Sequence, residues 1–139
     1  MAAFELRSTK GFRGSPVYLF GSPRLGNEEF VAAFEAAAEL RGARPPAWRV
    51  VHDKDPVPRL GAWNFGSRHP PQEVYYNEAQ TSYRLCSPVN GDDPTCSASL
   101  PWYDCVKNAG MHLNYLNSSR VITCKHTGEN PWKTHGRLY

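Results

Sequence analysis

The sequence predicts an α/β fold that contains a parallel pair of strands. An apolar run, Val17–Phe20, is followed by helical periodicity over residues 27–41 and then by a second apolar run over residues 48–52. This order of strand, helix and strand is typical of a βαβ unit, in which the two strands are parallel. A chain of 139 residues is long enough for one small domain and hardly for two. We therefore expect a single domain of the α/β class.

The first residues favour a helix but contain no helix start. Residues 2–7 are helix-prone, and the pattern ends at Lys10-Gly11, a cation followed by a glycine stop. Met1 already lies within the pattern, so no Ser, Thr, Asp or Asn precedes this helix as an N-cap. A short uncapped helix is a poor opening for a domain, because helix nucleation is costly. We expect the chain to begin inside a helix.

The first strand and the longer helix have clear boundary signals. Serine–proline and glycine–serine–proline flank the run Val17–Phe20, which predicts a buried strand. Asn27 is the expected N-cap of the helix, and Gly42 follows its last residue. Glu28 and Glu29 fall in the first turn, where the helix dipole favours anions. The predicted apolar stripe comprises Phe30, Phe34, Ala37 and Arg41, with Val31 and Ala38 beside it.

The pattern changes after the second strand. The run over residues 48–52 is entered from Pro45-Pro46 and predicts a second buried strand. Residues 74–76 and 83–86 are short strand-like pieces separated by polar residues, which predicts a hairpin or edge strands. Residues 125–139 show no periodicity. We therefore expect one domain over residues 1–124 and an irregular tail over residues 125–139.

Composition and charge exclude several classes of protein. Hydrophobic residues make up 40% and charged residues 21% of the chain, which is a globular composition. The net charge is only +3, without a block of like charges, so nothing favours binding to nucleic acid. The longest stretch without Asp, Glu, Lys or Arg is residues 108–119, whereas a transmembrane helix needs about 20 residues. Charged side chains within residues 5–13 exclude the apolar core of a signal peptide there.

The four cysteines favour an oxidising compartment. None belongs to a C-x-x-C pair, and a loop rich in turn residues separates Cys86 from Cys96. An even count with such a closure favours two disulfides, and of the three pairings we prefer Cys86–Cys96 with Cys105–Cys124. Residues 117–119, Asn-Ser-Ser, fit the N-glycosylation pattern. The alternative is four free thiols in a cytosolic protein.

One group of candidate functional residues follows the second strand. His52, Asp53 and Asp55 lie where a parallel strand ends, and active sites of open α/β sheets gather at such ends. An acidic residue there can orient a histidine by accepting its ring N–H. Taken alone, Asp53 and Asp55 are more often turn residues than catalytic ones. No second cluster has the spacing of metal ligands, so we expect no metal site.

A second candidate is His112, which has apolar residues on both sides. A lone histidine in such a setting is usually structural. His69, His126 and His135 have weaker settings in loops or in the tail. A serine hydrolase of the α/β class carries its nucleophile in a G-x-S-x-G elbow, and no serine of this chain fits that pattern.

Several segments together resemble the class 3 (fungal-type) lipases. Residues 17–27, V-Y-L-F-G-S-P-R-L-G-N, resemble the strand–turn–helix segment of that family. Residues 50–60, V-V-H-D-K-D-P-V-P-R-L, resemble the segment with the triad aspartate, which falls on Asp55, and residues 111–115 resemble the H-x-x-Y segment, with the triad histidine on His112. Residues 83–97 resemble a disulfide loop of some secreted members. The resemblance covers about residues 2–120, in family order.

The resemblance implies a partial α/β-hydrolase fold, made of the carboxy-terminal strands and helices of the sheet. Residues 1–7 resemble the end of the helix that follows the nucleophile elbow. We therefore expect the serine, the oxyanion-hole donors and the lid to lie upstream of this chain.

The same resemblance implies a carboxylic-ester hydrolase of lipid metabolism, of the triacylglycerol type, which needs no cofactor. In the complete protein, Asp55 would orient His112, and His112 would deprotonate the serine. The implied substrate is a lipid or another ester, at a lipid–water interface, and the implied location is extracellular. We expect this chain alone to be inactive, because it carries only the aspartate and the histidine.

The alternative is a secreted binding or regulatory module that retains lipase architecture without catalysis. It differs from the first hypothesis in requiring that the mature protein begin at Met1. The sequence leaves the oligomeric state and the acyl-chain preference undetermined.

Overall fold

The computed structural model of the chain describes residues 2–9, 16–37, 47–61, 66–70, 72–88 and 91–117. Within them, four strands form one sheet in the order β1-β2-β3-β4. The first three strands are parallel, and the fourth is antiparallel to the third. The strands are β1 (Val17–Phe20), β2 (Ala47–His52), β3 (Glu73–Tyr76) and β4 (Tyr83–Leu85). The predicted α/β class and the predicted hairpin are confirmed.

Three α-helices accompany the sheet in the described part of the chain: α1 (Ala2–Thr9), α2 (Glu28–Ala36) and α3 (Trp102–Lys107). The Asn27 side chain accepts the Phe30 N–H at 3.0 Å, so α2 begins at the predicted cap. The helix runs to Ala36 in the described residues, and the Ala37 N–H donates to the Ala33 carbonyl. The expected end at Arg41 lies outside the described residues. None of the described helices combines the length and apolarity needed to cross a bilayer.

The aromatic face of α2 packs against α1. The Phe30 ring lies 5.6 Å from the Phe4 ring of α1 and 6.4 Å from the Phe34 ring, measured between ring centres. Phe34 is buried. Phe30 of the predicted apolar stripe therefore makes the aromatic contact between the two helices.

The sheet buries its centre and exposes one edge. β2 pairs on both sides, and its last four residues are buried, as predicted. Val50 forms the core with Val74 of β3 and with Tyr115. The prediction that β1 is a buried strand is wrong: Tyr18 and Phe20 are 59% and 40% exposed. β1 lies at the edge of the described sheet, so an apolar run alone does not ensure burial.

The predicted Cys86–Cys96 disulfide is present and closes the chain after β4. The Asp93 carboxylate accepts hydrogen bonds inside this loop, from the Ser87 N–H at 2.6 Å and from the Thr95 N–H at 2.8 Å. Cys105 of α3 instead carries a free, buried thiol, beside the Arg59 guanidinium. The structure therefore does not bear out the expected Cys105–Cys124 bridge at Cys105, and Cys124 lies outside the described residues.

Candidate active site

The turn after β2 turns one carboxylate inward. Asp53 adopts a left-handed backbone with φ of 36°, and the Asp55 N–H donates to the His52 carbonyl at 2.9 Å. This tight turn leaves Asp55 only 1% exposed. The Val57 N–H, at the start of the 3-10 helix Val57–Arg59, donates to Asp55 Oδ1 at 2.8 Å. A buried carboxylate is thereby supplied with a backbone donor.

His112 lies on the 3-10 helix Ala109–Leu113, which follows α3. Its Nδ1 lies 3.0 Å from Asp55 Oδ2. Because an ionised carboxylate only accepts hydrogen bonds, Nδ1 carries the proton in this contact. The neutral ring then has its lone pair on Nε2. The His112 side chain is 28% exposed, whereas that of Asp55 is fully buried, so the histidine is the accessible member of the pair.

Tyr115 completes the surroundings of Asp55. Its hydroxyl donates to Asp55 Oδ2 and accepts the His52 backbone N–H at 3.4 Å. Burial, and then the negative charge of Asp55, raise the pKa of Tyr115 far above its ordinary value. The hydroxyl therefore stays protonated and remains a donor. Sequence reasoning included Tyr115 only as the last residue of the H-x-x-Y segment and gave it no role.

Gly21, directly after β1, lies against the Asp55–His112 pair. Its backbone has φ of +57°, and its N–H donates to the Val50 carbonyl at 3.0 Å. A Cβ at this position would lie 2.8 Å from His112 Nδ1 and 2.9 Å from Asp55 Oδ2. Only a glycine allows the chain to pass so close to both side chains. Sequence reasoning missed this role, although the glycine after the strand was visible as a stop signal.

The other candidates lie away from this pair or outside the described residues. Asp53 accepts the Tyr75 hydroxyl at 2.8 Å, so the structure pairs Asp55, not Asp53, with the histidine. His69 is buried and donates through Nε2 to the Pro58 carbonyl at 2.7 Å. His126 and His135 lie outside the described residues. The catalytic roles of Asp55 and His112 stay predictions.

In the described ranges, one group has the spacing of metal ligands: Glu73, Cys86 and Cys96. Its two sulfur atoms are joined in a disulfide and offer no thiolate. This group therefore does not suit a metal ion.

Comparison with known sequences points to one family. Residues 1–65 match the family model "Lipase (class 3)". "Secreted mono- and diacylglycerol lipase 2" of Gibberella zeae is 30% identical over 107 residues, covering 70% of this chain and 26% of the relative. "Secreted mono- and diacylglycerol lipase A" of Penicillium cyclopium is 31% identical over 107 residues, covering 73% of this chain and 32% of the relative. The chain thus spans about a quarter to a third of the length of these relatives.

Solved structures show the same architecture. Lipase II from Rhizopus niveus matches with a TM-score of 0.69 at 23% identity, over 84% of this chain and 42% of that chain. The lipase from Rhizopus microsporus var. chinensis matches with a TM-score of 0.66 at 24% identity, over 84% and 38%. At this identity the likeness shows the fold alone, which confirms the expected partial α/β-hydrolase fold. Because the family model, the relatives and the fold agree, the chain belongs to the class 3 lipase family.

Proposed function

We propose that this chain supplies the aspartate and histidine of a Ser-His-Asp carboxylic-ester hydrolase. The observation that carries the proposal is the contact between the buried Asp55 carboxylate and Nδ1 of the part-exposed His112, at 3.0 Å. A buried acceptor on one ring nitrogen and an accessible second nitrogen are what a general base requires. The relation to class 3 lipases supports the same chemistry.

In the proposed reaction, each side chain moves or holds one proton. His112 Nε2 takes the hydroxyl proton as the serine oxygen bonds to the acyl carbon. Asp55 holds the other ring proton and stabilises the imidazolium. His112 then returns the proton to the leaving alcohol, and water hydrolyses the acyl-enzyme by the same two transfers. The chemistry requires no cofactor.

The substrate class is an acylglycerol ester. Two relatives are named mono- and diacylglycerol lipases, which favours partial glycerides over other lipid esters. Because both are also named secreted, and because the chain contains a Cys86–Cys96 disulfide, we place the protein outside the cell.

These 139 residues contain no G-x-S-x-G sequence. We therefore propose that the chain by itself hydrolyses no ester, since the base has no nucleophile to activate. The serine would have to come from a segment that contains the elbow.

A segment exchange tests the proposal. The matched 107-residue segment of the Gibberella zeae relative is replaced by the corresponding part of this chain, and release of fatty acid from a diacylglycerol emulsion is titrated. The chimera should be active, and Asp55→Asn or His112→Ala should each lower its turnover by about 10⁴-fold or more. Leu113→Ala, at an exposed neighbouring position, is the matched control and should change little.

Two results would contradict the proposal. One is a chimera whose activity survives loss of Asp55 or His112. The other is hydrolysis by the isolated chain that the His112→Ala substitution abolishes, which would require a nucleophile within these residues.

A further inference from the structure

His52 connects two segments that approach the end of β2 from different parts of the chain. The residue is 3% exposed. Its ring Nε2 lies 2.9 Å from the Glu78 carbonyl oxygen, and its ring Nδ1 lies 3.3 Å from the Met111 carbonyl oxygen. Glu78 belongs to the turn between β3 and β4, and Met111 directly precedes His112. Each ring nitrogen that carries a proton donates to the carbonyl that it faces.

The β3–β4 turn is itself well fixed. Asn77 Oδ1 accepts the N–H groups of Thr81 and Ser82 at 3.0 and 3.1 Å. The Gln80 N–H donates to the Asn77 carbonyl at 2.9 Å. These bonds close the turn on itself, so the Glu78 carbonyl is presented by a rigid support.

The same turn holds the segment that follows His112. Gln80 Nε2 donates to the Asn114 carbonyl at 3.5 Å, and its Oε1 accepts the Asn117 N–H at 3.2 Å. The His52 ring therefore contacts the backbone just before His112, while Gln80 bonds to the backbone just after it. The His52 ring also packs edge-on against Tyr115, with 5.9 Å between ring centres.

We propose that His52 is a positioning residue, which ties the Met111 backbone to the β3–β4 turn and so holds His112 against Asp55. The inference rests on the proposed function of the Asp55–His112 pair and adds a residue that does not touch the substrate. Without this tie, the 3-10 helix that carries His112 would be held to the sheet by fewer contacts. The imidazole would then spend less time at the distance at which Asp55 accepts its proton.

The test is a proton NOE between His112 and Gly21, measured by NMR in the 139-residue chain. A Cβ on Gly21 would lie 2.8 Å from His112 Cε1, so the Gly21 Hα in that direction touches the ring. The NOE from His112 Hε1 to this Hα reports the position of the ring. A change in global stability alone would leave it intact in the folded molecules.

The proposal predicts a severalfold weaker NOE in His52→Leu, which removes the two ring nitrogens that face the Glu78 and Met111 carbonyls. His52→Gln keeps a side-chain donor and should retain most of the signal. Val51→Ala is the matched control. Val51 is as buried as His52, but it points to the opposite face of β2, so its truncation lowers stability and should leave the NOE unchanged.

Asp55→Ala, which removes the acceptor of the His112 ring proton, separates the two proposals. If Asp55→Ala weakens the NOE and His52→Leu does not, the His52 inference is overturned while the Asp55–His112 pair stands. If Asp55→Ala leaves the NOE unchanged, the pair itself is wrong. Should His52→Leu fail to fold, His52→Phe removes the ring nitrogens and keeps an aromatic ring beside Tyr115, and an unchanged NOE in that variant overturns the inference.

Discussion

Two aspartates separated by a single residue have different surroundings. Asp53 lies at the left-handed position of the turn and accepts the Tyr75 hydroxyl, and Lys54 lies 3.9 Å from its second oxygen. Asp55 is buried and has three donors, from the Val57 backbone, the His112 ring and the Tyr115 hydroxyl. Because only Asp55 touches the histidine, it is the member of this turn that can control the tautomer of His112.

Gly21 gives the sharpest prediction at the scale of a single residue. We expect Gly21→Ala to displace His112, since its Cβ would lie 2.8 Å from the imidazole at a φ of +57°. The His112–Asp55 contact should be lost, and the activity of the chimera with it. Gly66→Ala is the matched control, because Gly66 also has a positive φ, +77°, but none of the residues that the structure describes lies within 4 Å of its Cβ position.

Both substitutions carry a backbone cost of about 1–2 kcal/mol, measured as the free energy of unfolding in urea. Only Gly21→Ala should also abolish hydrolysis. Equal activity in the two variants would show that hydrolysis does not depend on the free space that Gly21 leaves beside the His112 ring.

At the scale of elements, local signals in the sequence predict elements better than they predict burial. The bounds of β1 agree with the prediction because stop residues flank a short apolar run, and the α2 start agrees because Asn27 caps it. The exposure of β1 was not predictable, since an apolar run does not reveal whether a strand lies at an edge. Asp55 and His112 were each candidates from their settings in the sequence, but only the family resemblance predicted that they act as a pair.

The remaining site residues depend on contacts between distant segments. Tyr115 and Asp55 are 60 positions apart, and His52 and Met111 are 59 positions apart. No periodicity or spacing within one segment encodes such a meeting, because it results from how strands and turns pack. The contacts of Tyr115, Gly21 and His52 are therefore visible only in the structure.

The disulfide loop after β4 provides a prediction for an element. Replacing Cys86 and Cys96 by serine opens a closure with a sequence separation of 10. The chain-entropy account gives a loss of about 2–3 kcal/mol in the free energy of unfolding. Urea denaturation of the double variant and of wild type measures it.

Cys105→Ser is the control for this experiment, because Cys105 is also buried but carries a free thiol. Reducing agent should destabilise wild type and leave the double variant unchanged. Equal sensitivity of both proteins to reductant would contradict a stabilising role for the Cys86–Cys96 bridge.

At the scale of the molecule, the face of the sheet opposite the Val50 core is polar. Arg49 is 1% exposed and pairs with Glu73 at 2.8 Å. Nearby, Arg24 pairs with Asp92 at 2.7 Å. Burial of the Arg49–Glu73 pair costs desolvation energy that can exceed the gain from pairing, whereas the Arg24–Asp92 pair is only partly buried. His69 is buried close to the Arg49 and Arg24 guanidinium groups, so a positive charge on its ring is strongly disfavoured.

The pH dependence of folding should report this environment. Burial, and then the charges of Arg49 and Arg24, lower the pKa of His69 to about 2. In the unfolded chain the same ring titrates near pH 6.5. Between these values the unfolded chain binds a proton that the native chain does not. The contribution of neutral, buried His69 to the free energy of unfolding is therefore fully present above about pH 6.5 and is lost as the pH falls below that value.

The comparison is between wild type and His69→Gln, whose amide can still donate to the Pro58 carbonyl. Urea denaturation at pH 7 and at pH 4.5 measures the free energy of unfolding of each protein. Between these pH values, wild type should lose on the order of 2–3 kcal/mol more of this free energy than the variant does. Carboxylates titrate in both proteins and cancel in the difference. If acid destabilises the two proteins equally, His69 gains a proton in the native state, and the polar face of the sheet must then open below pH 6.5.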